Sequence, residues 1–290
     1  MVSENSLWRR TFGKPILHQE WLVDGRSSLE LEHDERKATW SELFFDLAYV
    51  AAISKLGASF REKIESGFHH DEGFRSEQVD FSVGAALGDY IAMFCPLFVH
   101  WTSTTLYHNR FNNNDATHHL FTMLNTMFIT FLSANIIRCD GNEYDVATGD
   151  QSFRDCAAWS YFLFGAKLTL CLMFLRVALY IQKARSYAFK MVFVLGISAC
   201  IYLASAIADH YINWPGFISM WWIALAWDFT APFIIAPLIF PYFRKGFIPV
   251  NIELLSERFG LLLIIGLGES IVAASAITLG DLAGSQQYMF

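Results

Sequence analysis

The chain has 290 residues, of which 54% are hydrophobic and 17% charged, with 27 Phe, 9 Trp, 11 Tyr and a formal net charge of -7. This apolar excess excludes an ordinary soluble domain of the same length. The acidic balance, with no basic cluster, gives no support to a nucleic-acid partner.

In chain order, the first 37 residues are polar and charged and contain no apolar run of the kind a cleaved signal peptide needs. The first apolar block is therefore expected to act as an uncleaved anchor. Continuously apolar blocks then fall near 38–57, 81–103, 117–138, 157–181, 188–209, 218–240 and 257–279. Each has about the 20 residues that a helix needs to cross a hydrocarbon core. Barrel strands would instead alternate polar and apolar residues over about ten positions. The expectation is an all-α integral membrane protein, a polytopic bundle of about 7 transmembrane helices. The domain plan is a polar N-terminal segment over 1–37, a membrane domain over 38–280 and a short tail over 281–290.

Lys and Arg set the expected orientation. With the N-terminus cytoplasmic, the inside segments carry 12 of them and the outside segments 5, so an inward N-terminus is favoured.

Within the blocks, GAALG places Gly84 and Gly88 on one face of the second span, a spacing that suits close helix packing. Pro232 and Pro237 interrupt the sixth span and should kink it, freeing backbone carbonyls. Trp40, Trp101, Trp214, Trp221 and Trp222 lie near span ends, where aromatic belts form.

Ionisable residues inside hydrocarbon cost roughly 2.5–3.5 kcal/mol each on insertion scales, so they face the bundle interior and take partners. Glu42 and Asp46 in the first span are four residues apart and share a face. Two like charges there require a proton or a cation from another helix. Asp89, Asp209 and Asp228 add further acids, while Lys167, Arg176 and Arg258 are the available cations. On the last block, Arg258 and Glu269 fall on nearly one helix face but about 16 Å apart along it. They cannot pair with each other. Glu257, Arg258 and Glu269 are thus expected to tie this span to the bundle interior. Two readings stay open: structural ion pairs that fix helix register, or a proton or cation path through Glu42, Asp46 and Glu269.

Of the five cysteines, Cys95, Cys171 and Cys200 lie inside spans, while Cys139 and Cys156 flank the loop placed outside, where a disulfide could persist. The doublets His69-His70 and His118-His119 have no ligand spacing around them, so no metal and no cofactor are expected. GLGES lacks the strand and Lys of a phosphate loop, and its glycines suit helix contact. With no Ser-His-Asp or HExxH arrangement, the chain is not expected to be an enzyme.

Four segments, TWSELFFDLAYVAAISKL at 39–56, WTSTTLYHNRFNNNDATHHLFTM at 101–123, LRVALYIQKAR at 175–185 and IPVNIELLSERFGLLLIIGLGESIVA at 248–273, together resemble the bacterial low temperature requirement A family. The resemblance runs from about residue 35 to 280 and implies a multi-pass membrane protein, with no molecular activity attached. By position, the family's motif residues are Glu42, Phe45, Asp46, Trp101, Arg110, Asp115, Glu257, Arg258, Gly260, Gly268 and Glu269. Two departures stand out: Leu254 occupies a position where many relatives carry His, and relatives continue with further spans, so the chain looks truncated at its C-terminus.

The functional expectation is a transporter or channel for a proton, a cation or a small solute, using the intramembrane carboxylates. The alternative is a non-transporting stress sensor or scaffold whose acids hold helices together. The partners implied are the lipid bilayer, an ion or small solute, and a second copy of the chain.

Overall fold

The computed structural model describes residues 16–17, 40–69, 83–112, 115–136, 156–208, 214–235, 248, 250–264 and 267–268. Glu269, Cys139, Asp209, His70 and Pro237 lie outside the described residues.

The architecture is an all-α bundle. Its helices are α1 (Trp40–His69), α2 (Val83–Arg110), α3 (Ala116–Ala134), α4 (Cys156–Tyr180), α5 (Arg185–Ala208) and α6 (Trp214–Thr230), followed by α7 over 252–264. The only strands among the described residues are two-residue segments, β1 (Ile16–Leu17) and β2 (Phe111–Asn112). They pair antiparallel, Ile16 opposite Asn112 and Leu17 opposite Phe111, and so fasten part of the polar N-terminal segment to the end of α2.

Among the described residues, three helices are long and apolar enough to cross a membrane by length and composition: Trp40–Arg61, Cys156–Tyr180 and Arg185–Ala208; Ile218–Ile234 is a shorter apolar helix. What identifies the solvent around the bundle is the direction in which polarity points. On α3 the buried side chains include His118, Thr122, Asn125 and Thr126, whereas Leu120, Met123, Met127 and Phe131 are exposed. On α1, Glu42, Asp46 and Tyr49 are buried while Phe44 and Leu47 face outward. A water-soluble helix shows the opposite arrangement. Hydrocarbon outside and hydrogen bonds inside reverse it, because in lipid a polar side chain must find its partners within the protein.

Threonines in these helices largely satisfy themselves. The hydroxyls of Thr104, Thr122, Thr126 and Thr169 each donate to the carbonyl one turn earlier, at 2.8 to 3.0 Å. Helix α2 carries Pro96 within its length. At Pro232 the sixth helix passes from α into a π-helical segment, Ala231–Ile235, the local adjustment that accommodates a residue without a backbone N–H.

The core has two main parts. One gathers Phe45, Tyr49, Leu97, Trp101, Ile129, Trp159, Tyr202 and Trp221 from six helices. The other packs Tyr107, Phe111, Phe174, Val177 and Ile248 at the end where α2 and α4 finish. The start of α1 lies at this same end, since Phe45 meets the His108 ring edge-on at 6.3 Å. The start of α3 also lies there, with His118 5.3 Å from His108.

Several expectations need correction. Gly88 seats no helix among the described residues, because a Cβ there would meet none of them within 4 Å; the same holds for Gly268. The tight approach is at Gly165, where a Cβ would stand 2.7 Å from the Phe128 ring. Trp101 and Trp221 are not in an aromatic belt either. Both are fully buried and use their indole N–H groups inside the protein, while Trp40 and Trp222 are exposed.

Candidate functional site: ion pairs and a polar ladder inside the bundle

Asp46 sits nearly two turns into α1, on the face that carries Phe45 and Tyr49 inward. The Arg258 guanidinium of α7 reaches it with two hydrogen bonds, Nη2 to Oδ1 at 2.6 Å and Nε to Oδ2 at 3.2 Å. Trp101 of α2 donates its indole N–H to the same carboxylate at 2.7 Å. The Trp101 ring also meets Phe259 edge-on at 4.9 Å, so three helices converge on one acid. Arg258 and Asp46 are 1% and 3% exposed, which makes this a desolvated pair. The fork of the guanidinium matches the two carboxylate oxygens, the geometry that best offsets desolvation.

A second buried pair joins α4 to α6. Lys167 Nζ stands 2.7 Å from Asp228 Oδ2, with both side chains buried, and over the Tyr202 ring at 5.4 Å. A third lies at the end of the bundle. Asp115 caps α3 by accepting from the His118 backbone N–H at 3.2 Å, and the same oxygen takes Arg176 Nη2 at 2.7 Å. Close by, Asn109 and Asn251 exchange side-chain and backbone hydrogen bonds at 2.8 Å. Asn251 in turn caps α7 through the Leu254 N–H at 3.1 Å.

Between the first two pairs lies a layer without formal charge. His100 Nε2 is 3.0 Å from Asn125 Oδ1, and the His100 ring stacks on Tyr49 with centroids 6.3 Å apart. The Tyr49 hydroxyl, His100 Nδ1 and Asn125 Nδ2 are buried without a hydrogen-bond partner among the described residues. The same is true of Arg258 Nη1, Ser198 Oγ and the Tyr202 hydroxyl. Further along α4, Ser160 Oγ accepts from Trp221 Nε1 at 3.0 Å and from Ser205 Oγ at 3.2 Å. From Arg176 to Ser160 this helix rises about 24 Å at 1.5 Å per residue, most of a hydrocarbon thickness. The polar groups thus form a ladder that enters at one end of the bundle and runs deep into it.

The cations Lys167, Arg176 and Arg258 pair with Asp228, Asp115 and Asp46 respectively. Glu42 is buried one turn before Asp46 and Asp89 is half-buried, each engaged in an interaction of its own. Arg110 donates to the Tyr187 hydroxyl at 2.5 Å and to the Ile248 carbonyl at 3.4 Å. Glu257 does not point inward as expected but is exposed, because the helix turns it about 100° away from Arg258. Leu254 is buried. Cys95, Cys171 and Cys200 carry free thiols, and Cys156 is disulfide-bonded. Among the described residues no three His, Cys, Asp or Glu side chains converge on a point that could hold a metal ion.

Residue-by-residue reading of charge overlooked Tyr49, His100, Asn125, Ser198 and Tyr202. A helical signal was present: His100, Thr104 and His108 recur every four residues, as do His118, Thr122 and Thr126. In a membrane helix such a polar stripe marks the face turned away from lipid.

A helical bundle that turns apolar side chains outward and closes ion pairs within is an integral membrane protein. The chain belongs to the family described as bacterial low temperature requirement A protein, whose model matches residues 37–289. Comparison with curated proteins and with solved structures gives no match.

Proposed function

We propose that this chain is a transporter or channel that carries a proton, a cation or a small polar solute through the interior of its bundle. The observation that carries the reading is the layer of buried polar atoms around Tyr49, His100 and Asn125 that have no hydrogen-bond partner among the described residues. Each such group costs roughly 1–3 kcal/mol if nothing meets it, so a mobile polar guest is the economical partner. Neither a nucleophile with its base nor a metal centre is among the groups invoked, so the reading is non-catalytic. The bilayer is the one obligatory partner, and the Lys and Arg imbalance supports a cytoplasmic N-terminus.

A second reading has its own observation. The buried pairs join helices that are far apart in sequence, α1 to α7 and α4 to α6, as a scaffold would require. Reconstitution separates the two. Proteoliposomes carrying the chain should move protons, potassium or a small polar solute faster than protein-free vesicles, and Glu269→Gln or Asp46→Asn should reduce that flux. If no gradient drives any solute, and the variants only melt at lower temperature, the scaffold reading replaces this one.

A further inference from the structure

We infer that Tyr49, His100 and Asn125 form a binding site for a small neutral molecule that both donates and accepts hydrogen bonds, water being the smallest, and not for an ion. The inference rests on the transport reading for its role but on its own geometry for its chemistry.

No buried charge among the described residues stands free to hold an ion. Asp46 is closed on Arg258, Asp228 on Lys167 and Asp115 on Arg176, and Glu42 is engaged as well. The layer between the first two pairs is built from a phenol, an imidazole and an amide, all at most 1% exposed. An amide oxygen can only accept, so the 3.0 Å contact to Asn125 Oδ1 places the proton of the imidazole on His100 Nε2. His100 Nδ1 is then a bare acceptor, Asn125 Nδ2 offers donors, and the Tyr49 hydroxyl can do either. That mixture suits water, a small amide or a small polyol. A cation would meet the Asn125 donors. An anion would meet the bare His100 nitrogen. The two ion pairs flanking the layer are each closed on themselves, so neither offers a free counter-charge to an ion held there.

The test uses the full chain in vesicles of phosphatidylethanolamine and phosphatidylglycerol. Stopped-flow light scattering after osmotic shock with sucrose, urea or glycerol reads water, amide and polyol permeation, and dye assays read potassium and protons. Water or a neutral solute should pass, and Tyr49→Phe and Asn125→Leu should each slow it about tenfold, the loss of roughly one hydrogen bond. Water alone passing assigns a water-sized site; urea passing as well assigns an amide-sized one. Potassium or proton flux without neutral permeation overturns the inference and leaves the transport reading standing. If nothing moves, the transport reading falls, and a binding measurement decides this inference. Water-edited solid-state NMR of 15N-histidine protein in bilayers should transfer water magnetisation to the His100 Nδ1 resonance, assigned by its loss in His100→Gln. Transfer upholds the site, and its absence overturns it.

Discussion

Asp46 and Arg258, 212 residues apart in sequence, are joined by two hydrogen bonds of 2.6 and 3.2 Å inside the bundle. This one contact closes the first helix onto the last described one and brings two of the family's motif segments into a single structure. Removing one partner leaves the other as a buried, uncompensated charge, which costs about 3–5 kcal/mol. Asp46→Leu alone should therefore lower thermal stability in detergent sharply. The double variant Asp46→Leu with Arg258→Met should recover much of the loss, since two apolar groups replace a pair that was itself costly to desolvate. Additive losses in that double-mutant cycle would show that the two residues do not act as a pair.

Trp101 gives a second test. Its indole N–H donates to Asp46 at 2.7 Å from a fully buried ring. Trp101→Phe keeps most of the packing but removes the donor, and should cost about 1–2 kcal/mol. Trp40→Phe, at an exposed position, should stay within about 0.5 kcal/mol of the parent. Equal melting temperatures for the two variants would mean that the indole hydrogen bond contributes nothing.

Asp115 combines two functions that substitution can separate. Asp115→Asn retains an oxygen for the His118 N–H and loses only the charge facing Arg176, whereas Asp115→Ala loses both. The alanine variant should be less stable than the asparagine variant by about 1 kcal/mol, the typical worth of an N-cap. Chemical or thermal unfolding in detergent measures that difference directly.

Glycine positions provide a fourth. At Gly165 an added methyl would sit 2.7 Å from the Phe128 ring, so Gly165→Ala should force α3 and α4 apart at a cost of about 1–3 kcal/mol. Phe128→Leu in the same background should return part of it. Gly88→Ala has open space around it and should be neutral or slightly stabilising, since alanine also favours the helix. A Gly165→Ala variant as stable as the parent would place the α3–α4 contact elsewhere.

Much of this was legible in the linear sequence. The length and continuity of the apolar blocks, and the expense of charge in hydrocarbon, point to helices with Asp46, Asp228, Lys167 and Arg258 turned inward, because both effects are local and scale with composition. They also predict that each buried charge has a partner, since the alternative is too costly. Which acid meets which cation could not be read, because pairing joins residues 61 or 212 positions apart and depends on how the helices stand beside one another. The same limit misplaced Trp101, Trp221 and Glu257. A few tens of degrees of helix rotation decide whether a side chain meets lipid or core, and that rotation is set by packing against neighbours. The uncharged layer of Tyr49, His100 and Asn125 is a product of tertiary structure alone. A phenol, an imidazole and an amide become one buried polar layer only when three helices bring them together out of reach of water.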